Sequence, residues 1–169
     1  SAQPVRDALK RLEADGVVEG RPQSGFHLPR TSRTEYWQLI EIRVRLEGLA
    51  GRLAVPNLTA GVIADLRRRN AAMAHKERSE DYLADNFAFH FTIYTEARRP
   101  ALLALIENFW VRIGPILHHH PAATVTRDIV TRHEAIIAAL ERGDTDAVEA
   151  AIALDLEAAA RVVMRHLDD

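Results

Sequence analysis

Leu83-Ala-Asp-Asn-Phe-Ala-Phe-His-Phe-Thr-Ile-Tyr94 carries an apolar repeat at helical spacing, with two polar side chains set into the same face. Leu83, Phe87, Phe91 and Tyr94 form the expected stripe; Asn86 and His90 lie beside it, one helical turn apart, so both point into whatever the stripe buries. A polar group placed there needs a partner, because burial without a hydrogen bond costs roughly 2–7 kcal/mol. A single histidine in that setting fits a core imidazole bonded to an amide or a backbone carbonyl. Two later stretches widen the choice. His133 lies on the stripe Ile129, Val130, Ile136, Ile137 and Leu140, and Asp155 on the stripe Val148, Ile152, Ala159 and Val162. Helices that each aim an ionisable or amide group at one core are how a helical bundle builds a metal or anion site.

Outward from this centre, the composition sets bounds. A chain of 169 residues with 47% hydrophobic content suits one domain of ordinary size plus a small appendage. Abundant alanine and leucine with few aromatics favour an all-helical body. There is no cysteine, so disulfides and thiolate metal sites are excluded and any metal must be held by imidazole, carboxylate, amide or water. No uninterrupted apolar run approaches the ~18–20 residues of a membrane span, and the start lacks a secretory layout, so a cytoplasmic protein with no membrane partner is expected. The net charge is −2, yet residues 1–33 carry six Lys/Arg against four Asp/Glu, leaving −4 for the remainder. That excess permits a DNA-facing N-terminus without establishing one.

Residues 1–15 read as a helix with Pro4 in its first turn, Val5, Ala8, Leu9 and Leu12 inward, and Gly16 closing it. Arg6, Lys10 and Arg11 lie on the other face. Val17-Val18-Glu19-Gly20 and Gly25-Phe26-His27-Leu28 suit a small hairpin around Arg21-Pro-Gln-Ser24. A helix and one hairpin bury too little surface to stand alone, so this fragment reads as the second half of a domain. The spacing and motif of Ser1-Ala-Gln-Pro-Val-Arg-Asp-Ala-Leu-Lys-Arg-Leu12, with the Gly-bearing hairpin after it, resemble the recognition helix and wing of the GntR family of winged-helix regulators. The resemblance implies that Ser1, Gln3, Arg6, Lys10, Arg11, Ser24 and Gly25 face operator DNA, Arg6 through the recognition helix and Gly25 through the wing. Ala2 stands where that family commonly has arginine, which removes one contact.

Residues 31–34 read as a linker, and six helical patterns follow. The first, over 35–54, turns Leu39, Ile42, Leu46, Leu49 and Leu53 inward; the second, over 59–78, has Thr59 as N-cap and Ile63, Leu66 and Met73 inward. The third spans 79–97. The fourth spans 100–118, where Gly114-Pro115 is expected to kink or break it. The fifth, over 121–142, is closed by Gly143, and the sixth is capped by Asp144 or Thr145 and runs to the end. His118-His-His120 points in several directions at once and reads as a solvated helix end.

Arg43-Val-Arg-Leu-Glu47, Phe89-His90 and His133-Glu-Ala-Ile-Ile-Ala-Ala-Leu-Glu-Arg-Gly-Asp144 resemble the FCD effector domain of the FadR branch of GntR regulators. The expected architecture is therefore mainly α: the C-terminal part of a winged helix-turn-helix over residues 1–30, then a six-helix antiparallel bundle over 35–169. The resemblance implies a homodimer that binds operator DNA, a small organic-acid or sugar-acid effector, and a divalent metal (Zn, Mn, Ni or Fe). By position the metal ligands are Asn86, His90, His133 and Asp155, with Asn in place of the family's Asp and Asp in place of its last His. Arg43 is the expected effector contact, its alternative being an i,i+4 pair with Glu47 worth a few tenths of a kcal/mol. The metal set has an alternative too: a metal-free network in which Asp155 pairs with His133 or Arg43. With one carboxylate ligand, a bound dication would leave the site near +1. A ligand-responsive regulator, not an enzyme, is the leading reading. The competing class is a metal-dependent enzyme using two histidines and one carboxylate.

Overall fold

The structure is a computed structural model and describes residues 2–74, 79–117 and 122–168. Helix α1 (Gln3–Ala14) ends at Gly16, whose φ of 73° lies in the left-handed region where glycine is free of strain. Strands β1 (Glu19–Arg21) and β2 (Gly25–His27) follow as an antiparallel hairpin in the register Glu19↔His27, Gly20↔Phe26, Arg21↔Gly25. The strands begin later than expected, because Val17 and Val18 fold back on the end of α1 through bonds from both amides to Leu12 O. The stripe expected on α1 is corrected as well: Val5 is 62% exposed, Ala8 is exposed, and only Leu9 and Leu12 are half-buried. Among the described residues no element packs extensively along α1 to cover that face.

The expected linker contains the start of the next helix. Ser32 caps α2 (Arg33–Ala54) with a full capping box: its Oγ accepts from Glu35 N at 3.2 Å while Glu35 Oε2 accepts from Ser32 N at 2.9 Å. Arg33 then ties this end of α2 to the chain's last residues, its amide donating to Asp168 O at 3.1 Å and its Nε to Leu167 O at 2.8 Å.

Five further helices complete the bundle: α3 (Ala60–Met73), capped by Thr59 as expected, α4 (Ser79–Thr95), α5 (Pro100–Leu117), α6 (Ala122–Arg142) and α7 (Thr145–Val163), capped by Asp144. Gly143 closes α6 with φ 68°, and α7 stops short of the end in a 3-10 turn over Met164–His166. Helix α7 packs on α2 and α6, and α3 on α4 and α6. The expected end of the second pattern at Arg78, the His118-His-His120 run and the residues Ser1 and Pro121 lie outside the described residues.

Which face each helix buries departs from the sequence expectation in three places. On α2 the leucine stripe lies at the edge of the core face: Leu39, Leu46 and Leu53 are half-buried against the core, but Ile42 and Leu49 are 46% and 42% exposed, while Tyr36, Ile40, Arg43, Glu47, Ala50 and Ala54 are buried. The reason is the close approach of α7. A Cβ on Gly48 would meet Glu149 Cγ at 3.0 Å, and one on Gly51 would overlap Ile152 Cδ1 and meet Val148 Cγ1 at 3.0 Å. On α4, Phe87 is 42% exposed, whereas Phe89, Ile93, Tyr94 and Tyr82 are buried; aromatics at 87, 89 and 91 make the helix apolar nearly all round, so spacing alone cannot choose the face. On α7 the buried positions are Leu156, Ala160 and Val163 in place of Ala159 and Val162.

Helix α5 continues through Pro115 without the break expected there. Proline deprives the Val111 carbonyl of its helical donor, but Val111 is 46% exposed, so water can replace the bond. By length and composition alone α5 would also suit a membrane span, contrary to the expectation of none; here Ile106, Trp110 and Ile113 are buried in the bundle.

Gly51→Val is expected to lower stability by about 2–3 kcal/mol through overpacking against Val148 and Ile152. Gly61→Ala, an exposed site with only ordinary contacts, should raise it by about 0.5–1 kcal/mol. Urea unfolding of the two variants beside the parent measures both signs.

Candidate metal and effector site

Helices α4, α6 and α7 bring His90, His133 and Asp155 together, all buried, with potential ligand atoms within 4.8 Å of one another. Asp155 Oδ2 lies 3.3 Å from His90 Nε2 and 3.8 Å from His133 Nε2. Asn86, one turn before His90, lines the same pocket and accepts a hydrogen bond from the Tyr82 hydroxyl at 3.2 Å. Arg43 reaches this pocket from α2. The four expected ligand positions and the expected effector arginine thus converge, although only His90, His133 and Asp155 form the tight cluster.

His133 is the informative member. Its ring stacks on Phe89 with centroids 3.9 Å apart and planes within 6°. Both ring nitrogens are buried and neither has a hydrogen-bond partner. A well-satisfied core would leave neither in that state. Burial, the largest cause, drives its pKa down to about 3 against the upward pull of Asp155, with His90 and Arg132 adding to the fall. The ring is therefore neutral near pH 7, with a lone pair to offer. Burial alone would push the Asp155 carboxyl up, but the hydrogen bond from His90, the two facing imidazoles and the Arg132 guanidinium outweigh it and hold it well below the usual range. Two imidazoles, one ionised carboxylate oxygen and a nearby amide fit a divalent cation by donor type and by spacing.

The second half of the site is built on α2. Arg43 Nε donates to Glu47 Oε1 at 2.6 Å, so the i,i+4 pair does form, but it is a buried pair and not the weak surface contact considered from sequence. Trp110 Nε1 donates to Glu47 Oε2 at 3.1 Å, and the Arg43 guanidinium sits 4.6 Å over the Trp110 ring. Arg43 Nη2 is buried and has no hydrogen-bond partner. Tyr94 Oη lies 3.1 Å from His90 Nδ1. Burial and the Glu47 carboxylate beside it keep the Tyr94 hydroxyl protonated.

Of the two partners expected for Asp155 in a metal-free network, His133 is present at 3.8 Å, while Arg43 is paired with Glu47 instead. Asp155 Oδ1 accepts from Arg132 Nε at 2.9 Å, and its nearer imidazole is His90. Sequence reading missed Arg132, Glu47, Trp110 and Tyr94 as site residues. For Tyr94 a signal was present, since it lies one turn after His90; Arg132 has no such signal, because its direction depends on how α6 sits on α7.

On the helix and hairpin, Arg6, Lys10 and Arg11 are exposed, and Gln3 Nε2 donates to Asp7 Oδ1 at 2.8 Å. Ser24 Oγ lies 2.9 Å from His27 Nε2, and Gly25 has φ 79° where β2 leaves the hairpin turn.

Residues 38–169 match the FCD domain family. The chain is 30% identical over 154 residues to the HTH-type transcriptional regulator McbR of Escherichia coli (strain K12), a match that covers 86% of this chain and 69% of that protein. The solved structure of E. coli McbR/YncC superposes with a TM-score of 0.88 at 27% identity, covering 98% of this chain and 81% of the other. A transcriptional regulator GntR from Rhodococcus sp. RHA1 shares the fold with a TM-score of 0.80 at 19% identity, over 98% of this chain and 81% of its own. Relatives of this kind set aside the metal-dependent enzyme reading. A six-helix bundle behind a helix and hairpin, matched over most of its length, places the chain in the FCD-domain family of GntR transcriptional regulators.

Proposed function

We propose that this regulator senses a small carboxylate through a divalent metal held by His90, His133 and Asp155 with the Asn86 amide, and that Arg43 anchors the effector. The observation that carries the metal half is the partnerless His133 ring beside an ionised carboxylate. For the effector half it is the free Arg43 Nη2 in the same pocket, since a guanidinium edge is suited to a carboxylate. Residues 1–30 serve as the DNA-contacting part, with Gln3, Arg6, Lys10, Arg11, Ser24 and Gly25 toward operator DNA, in a cytoplasmic homodimer.

Bound in this pocket, the metal supplies a Lewis-acidic positive charge. The chain's own charges make that charge count. Arg43 with Glu47 and Arg132 with Asp155 are two pairs that cancel, so a dication would remain unbalanced by about +2, more than the +1 expected from Asp155 alone. An anion is drawn in. Arg43 then fixes its carboxylate, and because Arg43 stands on α2, whose first turn joins the hairpin segment, occupancy biases how the DNA-contacting part is held.

Metal analysis by mass spectrometry tests the first half: the parent should hold one equivalent, and His90→Ala and His133→Ala none. Equal metal in all three proteins would favour the hydrogen-bonded network around Asp155 without metal. Stability of the metal-stripped protein adds an independent check. His133 titrates near 3 when folded against 6.5 otherwise, so below pH 6.5 the unfolded chain takes the proton first and stability falls progressively toward pH 3. His133→Leu should remove that slope and raise stability at neutral pH by about 1–3 kcal/mol, since two unsatisfied nitrogens disappear; urea unfolding at several pH values reads both. Arg43→Ala would strand Glu47 and cost about 3–5 kcal/mol of stability. Arg43→Lys is therefore the test of effector binding: it should keep the metal and weaken a carboxylate effector by about 2 kcal/mol in calorimetric titration.

A further inference from the structure

Arg132 precedes His133 on α6 and reaches across to α7, where its Nε donates to Asp155 Oδ1 at 2.9 Å. The other carboxylate oxygen, Oδ2, faces the two imidazoles, 3.3 Å from His90 Nε2 and 3.8 Å from His133 Nε2. One carboxylate is thus divided between two tasks. A charge-assisted bond on Oδ1 opposes the rotation that would turn both oxygens toward the imidazoles. Arg132 is 17% exposed in its side chain and Asp155 only 6%, so water has little access to replace the arginine.

Cations differ in what they ask of such a group. Calcium takes about 6–8 oxygens and often chelates a carboxylate with both. Zinc is satisfied by about four ligands, including imidazole nitrogens and a single carboxylate oxygen. Manganese lies on the oxygen-preferring side of zinc. The guanidinium charge opposes every dication alike, so it lowers affinity without choosing; the choice comes from the number of oxygens offered.

We propose that Arg132 is a specificity-determining residue: by holding Oδ1 it makes Asp155 a one-oxygen ligand and biases the centre toward zinc-like cations over oxygen-preferring ones. The inference rests on the metal reading above. It concerns ion choice, and so can fail while that reading stands.

The test uses metal-stripped parent, Arg132→Ala and Arg132→Lys in the full chain. Zinc and manganese affinities come from competition titration, and the visible spectrum of the cobalt-loaded proteins reports coordination number. Arg132→Ala is expected to lose zinc-over-manganese preference by about tenfold, at the lower end of the roughly 10–100-fold by which affinity changes when a partner of a metal ligand is removed. Its cobalt bands should weaken as coordination rises. Arg132→Lys, which keeps the charge but not the placement of Nε, should lose several-fold. If Arg132→Ala does not fold by circular dichroism, the lysine variant decides alone. An unchanged preference and an unchanged cobalt spectrum in the folded variants overturn the proposal and leave Arg132 as a charge-balancing partner. A parent that takes up neither zinc nor cobalt overturns the metal reading itself, and this inference with it.

Discussion

Glu47 has no exposed surface, and a carboxylate in that position must be satisfied by its neighbours or the helix carrying it cannot be buried. Arg43, one turn earlier on α2, and Trp110 on α5 each donate to one of its oxygens. Breaking a buried pair of this kind typically costs about 3–5 kcal/mol. That penalty fixes the register of α2 against α5. It also sets the Trp110 ring 5.8 Å from that of His90, on α4. The geometry of the pocket follows from an ion pair in which Arg43 alone was expected at the site.

Asp155, which lines the same pocket, belongs to the second pair, with Arg132. Two internally neutralised pairs let four charges be held in a helical core without a bound ion. What they leave unsatisfied marks where ligands would go: the two nitrogens of His133 on the metal side and Arg43 Nη2 on the effector side. If a cation binds His90 through Nε2, its Nδ1 must carry the proton and donate to Tyr94, whose hydroxyl can donate in turn to the neighbouring Glu47 carboxylate. The two halves of the site are then joined by one hydrogen-bonded chain.

The same helices reach the N-terminal helix and hairpin. Helix α2 begins at the Ser32–Glu35 capping box and is held there by bonds from Arg33 to Leu167 and Asp168. Helix α5 carries Trp110 in the pocket and, two residues on, Arg112, whose guanidinium lies against Gly16 at the turn that ends α1. Movement of either helix in response to pocket occupancy would be felt at the base of the helix and hairpin.

Helical periodicity was enough to reveal the helices and to set His90, His133 and Asp155 each on a core-facing stripe, and the turn residues over 21–24 marked the hairpin; these depend on local spacing, which a chain carries without reference to its neighbours, whereas that the three groups meet at one site was implied by the family resemblance and decided by the packing of α4, α6 and α7. Thr59, Asp144 and Gly143 were legible for the same reason, since a cap acts within one turn. The choice between adjacent helix faces was not. Leu49 looks more hydrophobic than Gly51, yet the glycine faces inward because α7 approaches too closely for a side chain, and Phe89, stacked on His133, is buried where Phe87 is not. The partners of Asp155 and the burial of Glu47 likewise belong to the tertiary structure. A charged side chain takes its partner from whichever helix lies beside it, and that neighbour is decided by the packing of the whole bundle.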